Sequence, residues 1–375
     1  MAEYRYVLVV NAGSSSLKLR LLRADEAGGD RVVERLDLEA WSGAGDTTGL
    51  RRFVDGLGRV DAVGHRIVHG GTEFTDPVVV DTKVRDRIAA LAELAPLHQP
   101  RGVAGIDAVA RVLPECPAVA CFDTAFHARL PSAAATYALP REWNERYRLR
   151  RYGFHGLSHA WAAARAAELL GRPVGALRTV TAHLGAGASL AAVDRGRSVD
   201  TTMGFTPLAG LVMATRTGSV DPGLVLWLAQ HAGIDLDRLS DTLEHKSGLA
   251  GLSEIPGGDM REIEHAVDAG DRLATLAFEV YIHRLRREIA AMTAALDGLD
   301  ALVFTGGVGE HSPRVRAAAT DGLAYLGVRI DGDRNRDAAP DADISAARAA
   351  VRTLVLGARE DLQIARGTRT ALRTA

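Results

Sequence analysis

The stretch Tyr6-Val-Leu-Val-Val-Asn-Ala-Gly-Ser-Ser-Ser-Leu-Lys-Leu-Arg-Leu-Leu22 decides the fold of this chain. Residues 7–10 are aliphatic and predict a buried strand, and the alternating leucines of 17–21 predict a second strand. The loop between them carries an amide at Asn11, a glycine, three hydroxyls and then Lys18. These groups bind phosphoryl oxygens, although an ordinary polar hairpin turn has a similar composition. The stretch therefore predicts strand, tight loop, strand, with the loop as a candidate phosphate site.

The same pattern recurs in Thr179-Val-Thr-Ala-His-Leu-Gly-Ala-Gly-Ala-Ser-Leu-Ala-Ala-Val193. Setting Ser189-Leu190 on Ser16-Leu17 puts the two glycine-containing loops in register. The repetition predicts two related halves that face each other across a phosphate chain. Lysine occurs only at positions 18, 83 and 246 among the 45 basic residues, which suggests that Lys18 supplies a compact ammonium group.

Composition indicates a soluble globular protein of two domains. The chain has 375 residues, 47% of them hydrophobic, and a net charge of −2, which gives no electrostatic reason to expect nucleic acid or an anionic membrane as partner. The first apolar run ends at Asn11, too early for a signal peptide or a membrane span. Cys116 and Cys121 fit structural thiols better than a disulfide or a metal site. We expect a cytoplasmic protein.

Strand and helix patterns alternate along the chain and predict an α/β fold. No element is assigned in residues 24–58, and residues 202–223 are predicted to form a loop. The longest predicted helix, 271–296, has an apolar stripe that includes Leu273 and Tyr281. Another helix, 159–170, is predicted to have Ser158 as its N-cap. The other predicted strands lie near 61–71, 118–126, 301–305 and 353–356, and the other predicted helices at 82–94, 103–113, from 312 and from 360.

Three strand-to-glycine turns, near residues 11, 185 and 306, suit a nucleotide in a cleft between two domains. The GxxxxGK[ST] motif is absent from the sequence, and the glycines at 306–309 do not have GxGxxG spacing, so P-loop and Rossmann interpretations fail. The histidine pairs 65/69 and 155/159 have the i,i+4 spacing of zinc ligands. They lack the HExxH glutamate and an evident third ligand, so zinc is the weaker interpretation.

Several polar residues are candidates for ligand contacts. Asp123 and Glu360 each follow an apolar strand at its carboxyl end. Arg66 and Arg216 lie in glycine-rich surroundings without acidic neighbours in the sequence, although most arginines in so arginine-rich a chain serve as solvated surface. His155 is interpreted as a neutral hydrogen-bond donor, with a buried structural histidine as the alternative.

Together, these segments resemble the acetokinase family. The resemblance covers nearly the whole chain and is weakest in 24–58. It is carried by VNAGSSSLK (10–18), GHRIVHGG (64–71), ELAPLHQP (93–100), FDTAFH (122–127), YGFHGLSH (152–159), HLGAGAS (183–189), DTTMGFTPLAGLVMATRTGSVDPG (200–223), FTGGVGEHS (304–312) and the residues around Glu360. Acetokinases are grouped with actin, chaperone ATPases and sugar kinases. The resemblance therefore implies two duplicated ribonuclease-H-like, actin-like ATPase domains around a nucleotide cleft.

The resemblance also implies a reaction, the reversible in-line transfer of the γ-phosphoryl group of ATP to acetate, giving acetyl phosphate and ADP. A carboxylate is a competent nucleophile at pH 7, so positioning and charge stabilisation are the main requirements. Each implied role belongs to residues of this sequence that match the family's motifs. The implied catalytic residues are Arg66, Asp123, His155 and Arg216; Asn11 and Glu360 would position Mg²⁺ or Mn²⁺; Ser14, Ser16, Lys18, His183, Gly185, Gly187 and Gly309 would line the phosphates; Asp259, Arg261 and Gly307 would lie by the ribose and adenine; and Val68, Leu97, Phe154 and Pro207 would wall the acid pocket.

The chain departs from the family pattern at several positions. Asparagine is usual in the family where this chain has Ala186, and it is common at the positions of His311 and Arg359. An aromatic residue is common at the position of Met260, and threonine at that of Leu157. These departures predict an active kinase with weakened or altered binding of the phosphoryl donor.

The predicted domains are residues 1–123 with 361–375, and residues 124–360, the second binding the nucleotide and pairing two copies into a homodimer. Three alternatives remain open at this point. A kinase for propionate differs by one methylene, which the sequence does not resolve. A nucleotide-binding ATPase without acid chemistry would share the hairpins but has no need of Arg66 and Arg216. An inactive relative is the third alternative, suggested by Ala186.

Overall fold

The computed structural model describes residues 4–13, 16–25, 29–39, 41, 43, 47–96 and 98–375. Within these ranges the chain alternates between strands and helices, which confirms the α/β class. The strands are β1 Tyr6–Ala12, β2 Ser16–Ala24, β3 Asp30–Glu39, β4 Ala62–Ile67, β5 Val78–Val79, β6 Ala118–Phe122, β7 Arg178–Leu184, β8 Ala188–Asp194, β9 Arg197–Thr201, β10 Ala301–Thr305, β11 Ala342–Asp343 and β12 Arg352–Val355.

The helices follow the same chain order, with short 3₁₀ turns between some of them. They are α1 Thr48–Asp55, α2 Thr82–Ala90, α3 Gln99–Val112, α4 Ser132–Ala135, α5 Arg141–Arg146, α6 Gly156–Leu169, α7 Pro222–His231, α8 Leu236–His245, α9 Gly248–Ser253, α10 Met260–Asp268, α11 Arg272–Ala295, α12 Gly306–His311, α13 Pro313–Asp321, α14 Gly332–Arg336 and α15 Glu360–Thr374. None of the helices in the described ranges is long and apolar enough to cross a membrane.

The chain forms two compact units. Unit 1 comprises Met1–Ala128, Phe154–Trp161 and Arg359–Ala375, and unit 2 comprises Arg129–Gly153 and Ala162–Ala358. The sequence-based division differs from these units chiefly at residues 154–161, which it assigned to the second half.

Unit 1 is built on a mixed six-stranded sheet with the order β3-β2-β1-β4-β6-β5. The predicted hairpin is its centre, because β1 pairs antiparallel with β2 and parallel with β4. Strand β4 in turn pairs parallel with β6. In this register Asn11 lies opposite Lys18 on one side and opposite Arg66 on the other.

Unit 2 repeats this topology around the second predicted hairpin. Its sheet has the order β9-β8-β7-β10-β12-β11, with the hairpin strands antiparallel and β7, β10 and β12 parallel. Each sheet also ends in a two-residue antiparallel strand at the same edge. The predicted duplication is therefore confirmed.

Alternation along β1 gives the first sheet two apolar faces. Leu8 and Val10 pack on the face covered by α1 and α3, while Val7 and Val9 pack on the face covered by α15. Helix α15 lies close to the sheet, since a Cβ on Gly64 would come within 2.4 Å of Thr368 Oγ1. Burying each large aliphatic side chain contributes about 1.5–3 kcal/mol, so these layers hold the strand ends firmly.

Two local predictions were wrong, and one stretch had no assigned elements. Helix α6 begins at Gly156 rather than after Ser158, which is buried inside its first turn. Leu273 is exposed, and the buried stripe of α11 starts at Ala274 instead. Residues 24–58, left without elements, contain β3 and α1. Strand β3 lies at the sheet edge and is largely exposed, so its sequence lacks the apolar pattern of a buried strand.

Candidate active site

Arg66 is the centre of a polar cluster in unit 1. Its guanidinium donates to both carboxylate oxygens of Asp123, with Nε–Oδ1 at 3.2 Å and Nη2–Oδ2 at 2.6 Å. It also donates to Asn11 Oδ1 at 3.2 Å, and its Nε lies 3.7 Å from Glu360 Oε2. The side chains of Arg66 and Glu360 each remain 19% exposed, whereas that of Asp123 is 1% exposed. The cluster thus presents a fixed planar cation with hard oxygen donors around it.

Sheet register explains why these residues meet. Asn11, Arg66 and Asp123 lie at or just beyond the carboxyl ends of the neighbouring parallel strands β1, β4 and β6. Side chains alternate between the faces of a strand, so all three point to the face that α15 covers. Glu360 is the first residue of α15. The carboxyl ends of parallel strands are the usual ligand site of α/β sheets.

The charges of this cluster depend on one another. Burial, opposed by the attraction of Arg66 and reinforced by the Glu360 carboxylate, raises the pKa of Asp123 to about 6. Burial disfavours the charge of Arg66, but Asp123 and Glu360 outweigh burial and raise the pKa of its guanidinium above the usual value. Arg66 has no acidic neighbours in the sequence, and its carboxylate partner Asp123 comes from the end of a different strand.

His155 is held beside Asp123 by its own backbone. Its φ of +56° is a left-handed conformation, which is uncommon for a residue with a side chain. The next residue, Gly156, donates its N–H to the carbonyl oxygen of Asp123 at 2.9 Å. A Cβ at Gly156 would lie 2.2 Å from that oxygen, so only glycine allows this approach. The start of α6 thereby places His155 next to the cluster around Arg66.

Apolar side chains adjoin His155 and Arg66 along the chain. Phe154 is buried, its ring meets His69 edge-on at 5.5 Å, and its carbonyl oxygen is 3.1 Å from His127 Nε2. Val68 is half-buried just after β4. Leu97, a third predicted pocket residue, lies outside the described residues.

The hairpin of unit 1 presents two of its predicted phosphate ligands. Lys18 is exposed and lies opposite Asn11 in the register of β1 and β2, on the face that carries Arg66. Ser16 is half-buried at the start of β2, and its carbonyl oxygen accepts the N–H of Gly13 at 2.8 Å. Ser14 lies outside the described residues.

Unit 2 contains a cavity of about 430 Å³ beside its own hairpin. Gly185 and Ala186 of the β7–β8 turn contribute to it, and Gly187 closes that turn by accepting the N–H of Gly185 at 3.0 Å. His183 lies at the end of β7, opposite Ser189. The lining residues are Gly185, Ala186, Ala214, Gly257, Asp259, Met260, Arg261, Glu264, Gly307, Val308, His311 and Ser312.

The predicted nucleotide-binding residues gather around this cavity. Asp259 is the N-cap of α10 and pairs with Arg261 at 2.7 Å, and this pairing lowers the pKa of Asp259 to about 2. No atom within 4 Å would block a Cβ at Gly307, so that residue faces open space, whereas Gly309 is buried in the same short helix α12. The cavity lining therefore combines apolar residues such as Met260 with the charged pair Asp259 and Arg261.

Arg216 lies in the loop before α7, also in unit 2. Its Nη1 contacts Pro207 O at 3.5 Å and Met213 Sδ at 4.0 Å, and it has no ion pair among the described residues. Burial lowers the pKa of its guanidinium. Gly248 packs closely against this loop. Its φ is +62°, and a Cβ there would lie 2.3 Å from Met213 O, so a larger residue would not fit. Arg216 is thus a half-buried cation that can pair with an anionic ligand.

Arg359 and Leu157, two positions that depart from the family pattern, have local structural roles. Arg359 stands at the N-cap position of α15 and pairs with Asp361 at 3.1 Å. Leu157 is buried in the core between the first sheet and α15.

Metal donors are limited in the described part of the chain. No group of three or more His, Cys, Asp and Glu residues there could hold a metal ion by itself. The two carboxylates and one amide oxygen around Arg66 are nevertheless the hard donors that Mg²⁺ prefers, and Mg²⁺ is commonly bound through one or two carboxylates together with substrate phosphates. This donor set fits Mg²⁺ bound with a nucleotide.

Sequence reasoning missed two residues next to the cavity, Glu310 and Arg316. Arg316 is 1% exposed and donates to the carbonyl oxygens of Gly309 and Glu310 at the end of α12. The arginine is one of many in the sequence, and only its burial distinguishes it. Glu310 belongs to the segment FTGGVGEHS (304–312), and the sequence assigned it no role.

Comparison with known proteins places the chain in a family. The model of the acetokinase family matches residues 46–366. An acetate kinase of Nostoc punctiforme is 42% identical in a match that covers 96% of this chain and 97% of the relative. The crystal structure of Porphyromonas gingivalis acetate kinase superposes with a TM-score of 0.89 at 35% identity and covers 98% of this chain and 99% of its own. The structure of a propionate kinase from Francisella tularensis has a TM-score of 0.87 at 35% identity and covers 97% and 99%. The chain belongs to the acetokinase family.

Proposed function

We propose that this chain is a carboxylate kinase that transfers the γ-phosphoryl group of ATP to acetate, reversibly, giving acetyl phosphate and ADP. The single observation that carries the proposal is the geometry of Arg66. Its guanidinium is fixed by Asp123 and Asn11 and remains partly exposed at the carboxyl ends of three parallel strands. A positioned planar cation of this kind suits a carboxylate or a transferred phosphoryl group.

The chemistry assigned to these residues is orientation and charge stabilisation. An acetate oxygen attacks the γ-phosphorus, and the bond from that phosphorus to the β,γ-bridging oxygen breaks, so ADP leaves with the electron pair. No proton has to move, because both partners react as anions. Arg66 and Arg216 hold the acid and the equatorial oxygens, and His155 donates a further hydrogen bond. Asp123 keeps Arg66 in place.

Magnesium is assigned to Asn11 and Glu360, with Asp123 near them. When bound, Mg²⁺ or Mn²⁺ neutralises charge on the β- and γ-phosphates. The carboxylate of Glu360 is partly exposed and lies 3.7 Å from Arg66, so it can still bind a metal ion or accept a hydrogen bond from water.

The nucleotide is assigned to unit 2. The cavity of about 430 Å³ lies within the range of small-molecule pockets, and its lining includes apolar residues against which a base can pack. Asp259, Arg261 and Gly307 would face the ribose and base. His183, Gly185, Gly187 and Gly309 would line the phosphates on unit 2, and Ser14, Ser16 and Lys18 on unit 1.

Propionate is the second candidate substrate. The Francisella structure at 35% identity is that of a propionate kinase. One methylene in an apolar pocket changes discrimination by about 1–3 kcal/mol, so the walls assigned to Val68, Leu97, Phe154 and Pro207 decide between the two acids. Steady-state kinetics with each acid at saturating MgATP measures that preference.

A homodimer is proposed from an uncovered apolar surface of unit 2. Helix α7 has an apolar sequence but none of its residues is buried, and Leu226 and Trp227 are 59% and 53% exposed. Leu273 and Leu276 of α11 are exposed as well. Uncovered apolar surface of this kind is typical of protein interfaces. A monomer in light scattering at micromolar concentration would contradict a homodimer. A cytoplasmic location is proposed with it.

The experiment that tests the activity is incubation with MgATP, acetate and hydroxylamine. Hydroxylamine converts an acyl phosphate to an acyl hydroxamate, which forms a coloured iron complex. Hydroxamate that depends on ATP, acetate and enzyme supports the proposal. ADP release without hydroxamate would instead indicate an ATPase, and no turnover at all would indicate an inactive relative.

A further inference from the structure

Arg316 is a buried cation without a carboxylate partner in the described residues. Its guanidinium donates to Asn335 Oδ1 at 2.8 Å, Asn335 O at 2.7 Å, Gly309 O at 2.9 Å and Glu310 O at 2.8 Å. Burial lowers the pKa of Arg316 to about 10. A buried charge is costly unless its hydrogen bonds are satisfied, and here neutral oxygens satisfy it. Arg316 therefore fixes the carbonyl oxygens of Gly309 and Glu310 near the end of α12.

Helix α12 is the element that this arginine holds. Gly307, Val308 and His311 of α12 line the cavity of unit 2, and Ser312 follows directly. Ser312 caps α13 by accepting the N–H of Val315 at 2.9 Å. The cavity wall formed by α12 is thus rigidly attached to the rest of unit 2.

The side chain of Glu310 points from α12 to a different segment. Its Oε1 accepts the backbone N–H of Ala358 at 2.9 Å, and a Cβ at Gly357 would lie 3.9 Å from its Oε2. Residues 357–358 form the exit from β12, where Leu356 N donates to Phe304 O at 2.9 Å. The carboxylate of Glu310 therefore fastens the last residue of unit 2 to the cavity wall.

Chain connectivity gives this anchor a consequence for Glu360. Glu360 follows Ala358 by two residues, and successive Cα atoms are about 3.8 Å apart, so the two Cα atoms lie within about 7 Å of each other in every conformation. Fixing Ala358 therefore restricts the Cα atom of Glu360 to a sphere of about 7 Å around it.

We propose that Glu310 is a positioning residue: by fixing Ala358 it restricts the position of the metal-ligand candidate Glu360, and Arg316 fixes the helix from which Glu310 acts. This inference rests on the proposed function. It predicts that loss of the Glu310 carboxylate slows phosphoryl transfer while the cavity still binds nucleotide, because α12 itself stays fixed by Arg316.

The test compares Glu310→Ala and Glu310→Gln with the full-length wild type. The glutamine keeps an oxygen that accepts the N–H of Ala358, whereas the alanine keeps none. A hydrogen bond to a charged acceptor corresponds to roughly a tenfold to hundredfold effect. We expect kcat to fall at least about tenfold in Glu310→Ala and to stay within about threefold in Glu310→Gln, with the KM for ATP within about twofold in both.

A second readout does not depend on activity. Hydrogen–deuterium exchange by mass spectrometry should show faster uptake over residues 357–362 in Glu310→Ala, and unchanged uptake over 306–312. The matched control is Asp235→Ala, which removes a carboxylate that accepts one backbone N–H, that of Arg238 at 2.7 Å, at the start of α8. Neither kcat nor exchange over 357–362 should change in this control.

The outcomes separate the inference from the proposed function. A wild type that makes no acyl hydroxamate overturns the proposed function and the catalytic role of the anchor together, while exchange still reports whether the anchor exists. With an active wild type, unchanged exchange over 357–362 in Glu310→Ala overturns the inference alone. An equal loss of kcat in the alanine and glutamine variants, or a loss that appears in the KM for ATP, also overturns it.

Discussion

The substitution Arg66→Ala should reveal how the cluster in unit 1 is held together. It removes the guanidinium that donates to both oxygens of Asp123, at 2.6 and 3.2 Å. The carboxyl group of Asp123 would then lie in a buried position without that cation. Removing one partner of a buried ion pair typically destabilises a protein by about 3–5 kcal/mol, so we expect Arg66 to stabilise the fold in addition to its proposed catalytic role.

Protonation of Asp123 sets the size of this effect. Burial already raises the pKa of Asp123 to about 6, above its value in the unfolded chain, and loss of Arg66 raises it further. When the pKa of a carboxyl group is higher in the folded than in the unfolded protein, the free energy of unfolding falls as pH rises from the unfolded to the folded pKa. The slope is about 1.4 kcal/mol per pH unit. At pH 5 both proteins carry a largely protonated Asp123. We therefore expect Arg66→Ala to cost about 3 kcal/mol at pH 8 and less than about 1.5 kcal/mol at pH 5.

Urea unfolding followed by circular dichroism at pH 5 and pH 8, without nucleotide or Mg²⁺, measures both values. The double variant Arg66→Ala/Asp123→Asn removes the ionisable group and should recover most of the stability lost at pH 8. A loss of equal size at the two pH values would refute this account of Asp123. So would a double variant no more stable than Arg66→Ala at pH 8.

Three further predictions follow from other parts of the site. Arg216→Ala should lower kcat by several orders of magnitude, with partial rescue by guanidine. It should leave the unfolding free energy nearly unchanged, because within the described residues its guanidinium has long contacts with Pro207 O and Met213 Sδ and no ion pair; early melting with normal turnover per folded molecule would show a structural role. Ala186→Asn should raise kcat/KM for ATP about ten- to hundredfold, since Ala186 lines the cavity and an added donor can reach a phosphoryl oxygen; unchanged or lower kcat/KM would mean that the loop has adapted to alanine. Burial lowers the pKa of His65 to about 4, so the folded protein resists protonation of His65 and its free energy of unfolding decreases as pH drops from about 6.5 to 4. His65→Leu should reduce the slope of that decrease by about 1.4 kcal/mol per pH unit, and identical pH profiles of the two proteins would contradict this role of His65.

The hairpins were predictable because their signal is local. Residues 6–22 and 179–193 each carry the apolar alternation of paired strands on both sides of a small polar loop, and the structure has strands in both places. The existence of two related halves was inferred from that repetition, and the structure adds that their sheets share one strand order. The long helix α11 was found for a similar reason, since its 3.6-residue periodicity spans more than six turns.

The contacts of the site were harder to predict because they join distant parts of the chain. Arg66 and Asp123 are 57 residues apart, and only the parallel pairing of β4 with β6 brings them together. The start of α6 was misplaced for the same reason. Capping preference favoured Ser158, whereas the helix begins at Gly156 because its N–H bonds to the carbonyl of Asp123. Local patterns do not contain that tertiary contact.

The measurement that tests the central proposal most directly is ³¹P NMR of the wild-type protein with MgATP and acetate, with propionate in a parallel sample. We predict that acetyl phosphate and ADP appear in equal amounts, and that neither accumulates with Arg216→Ala protein on the same timescale. ADP and inorganic phosphate without any acyl phosphate signal, from either acid, would contradict transfer to a carboxylate.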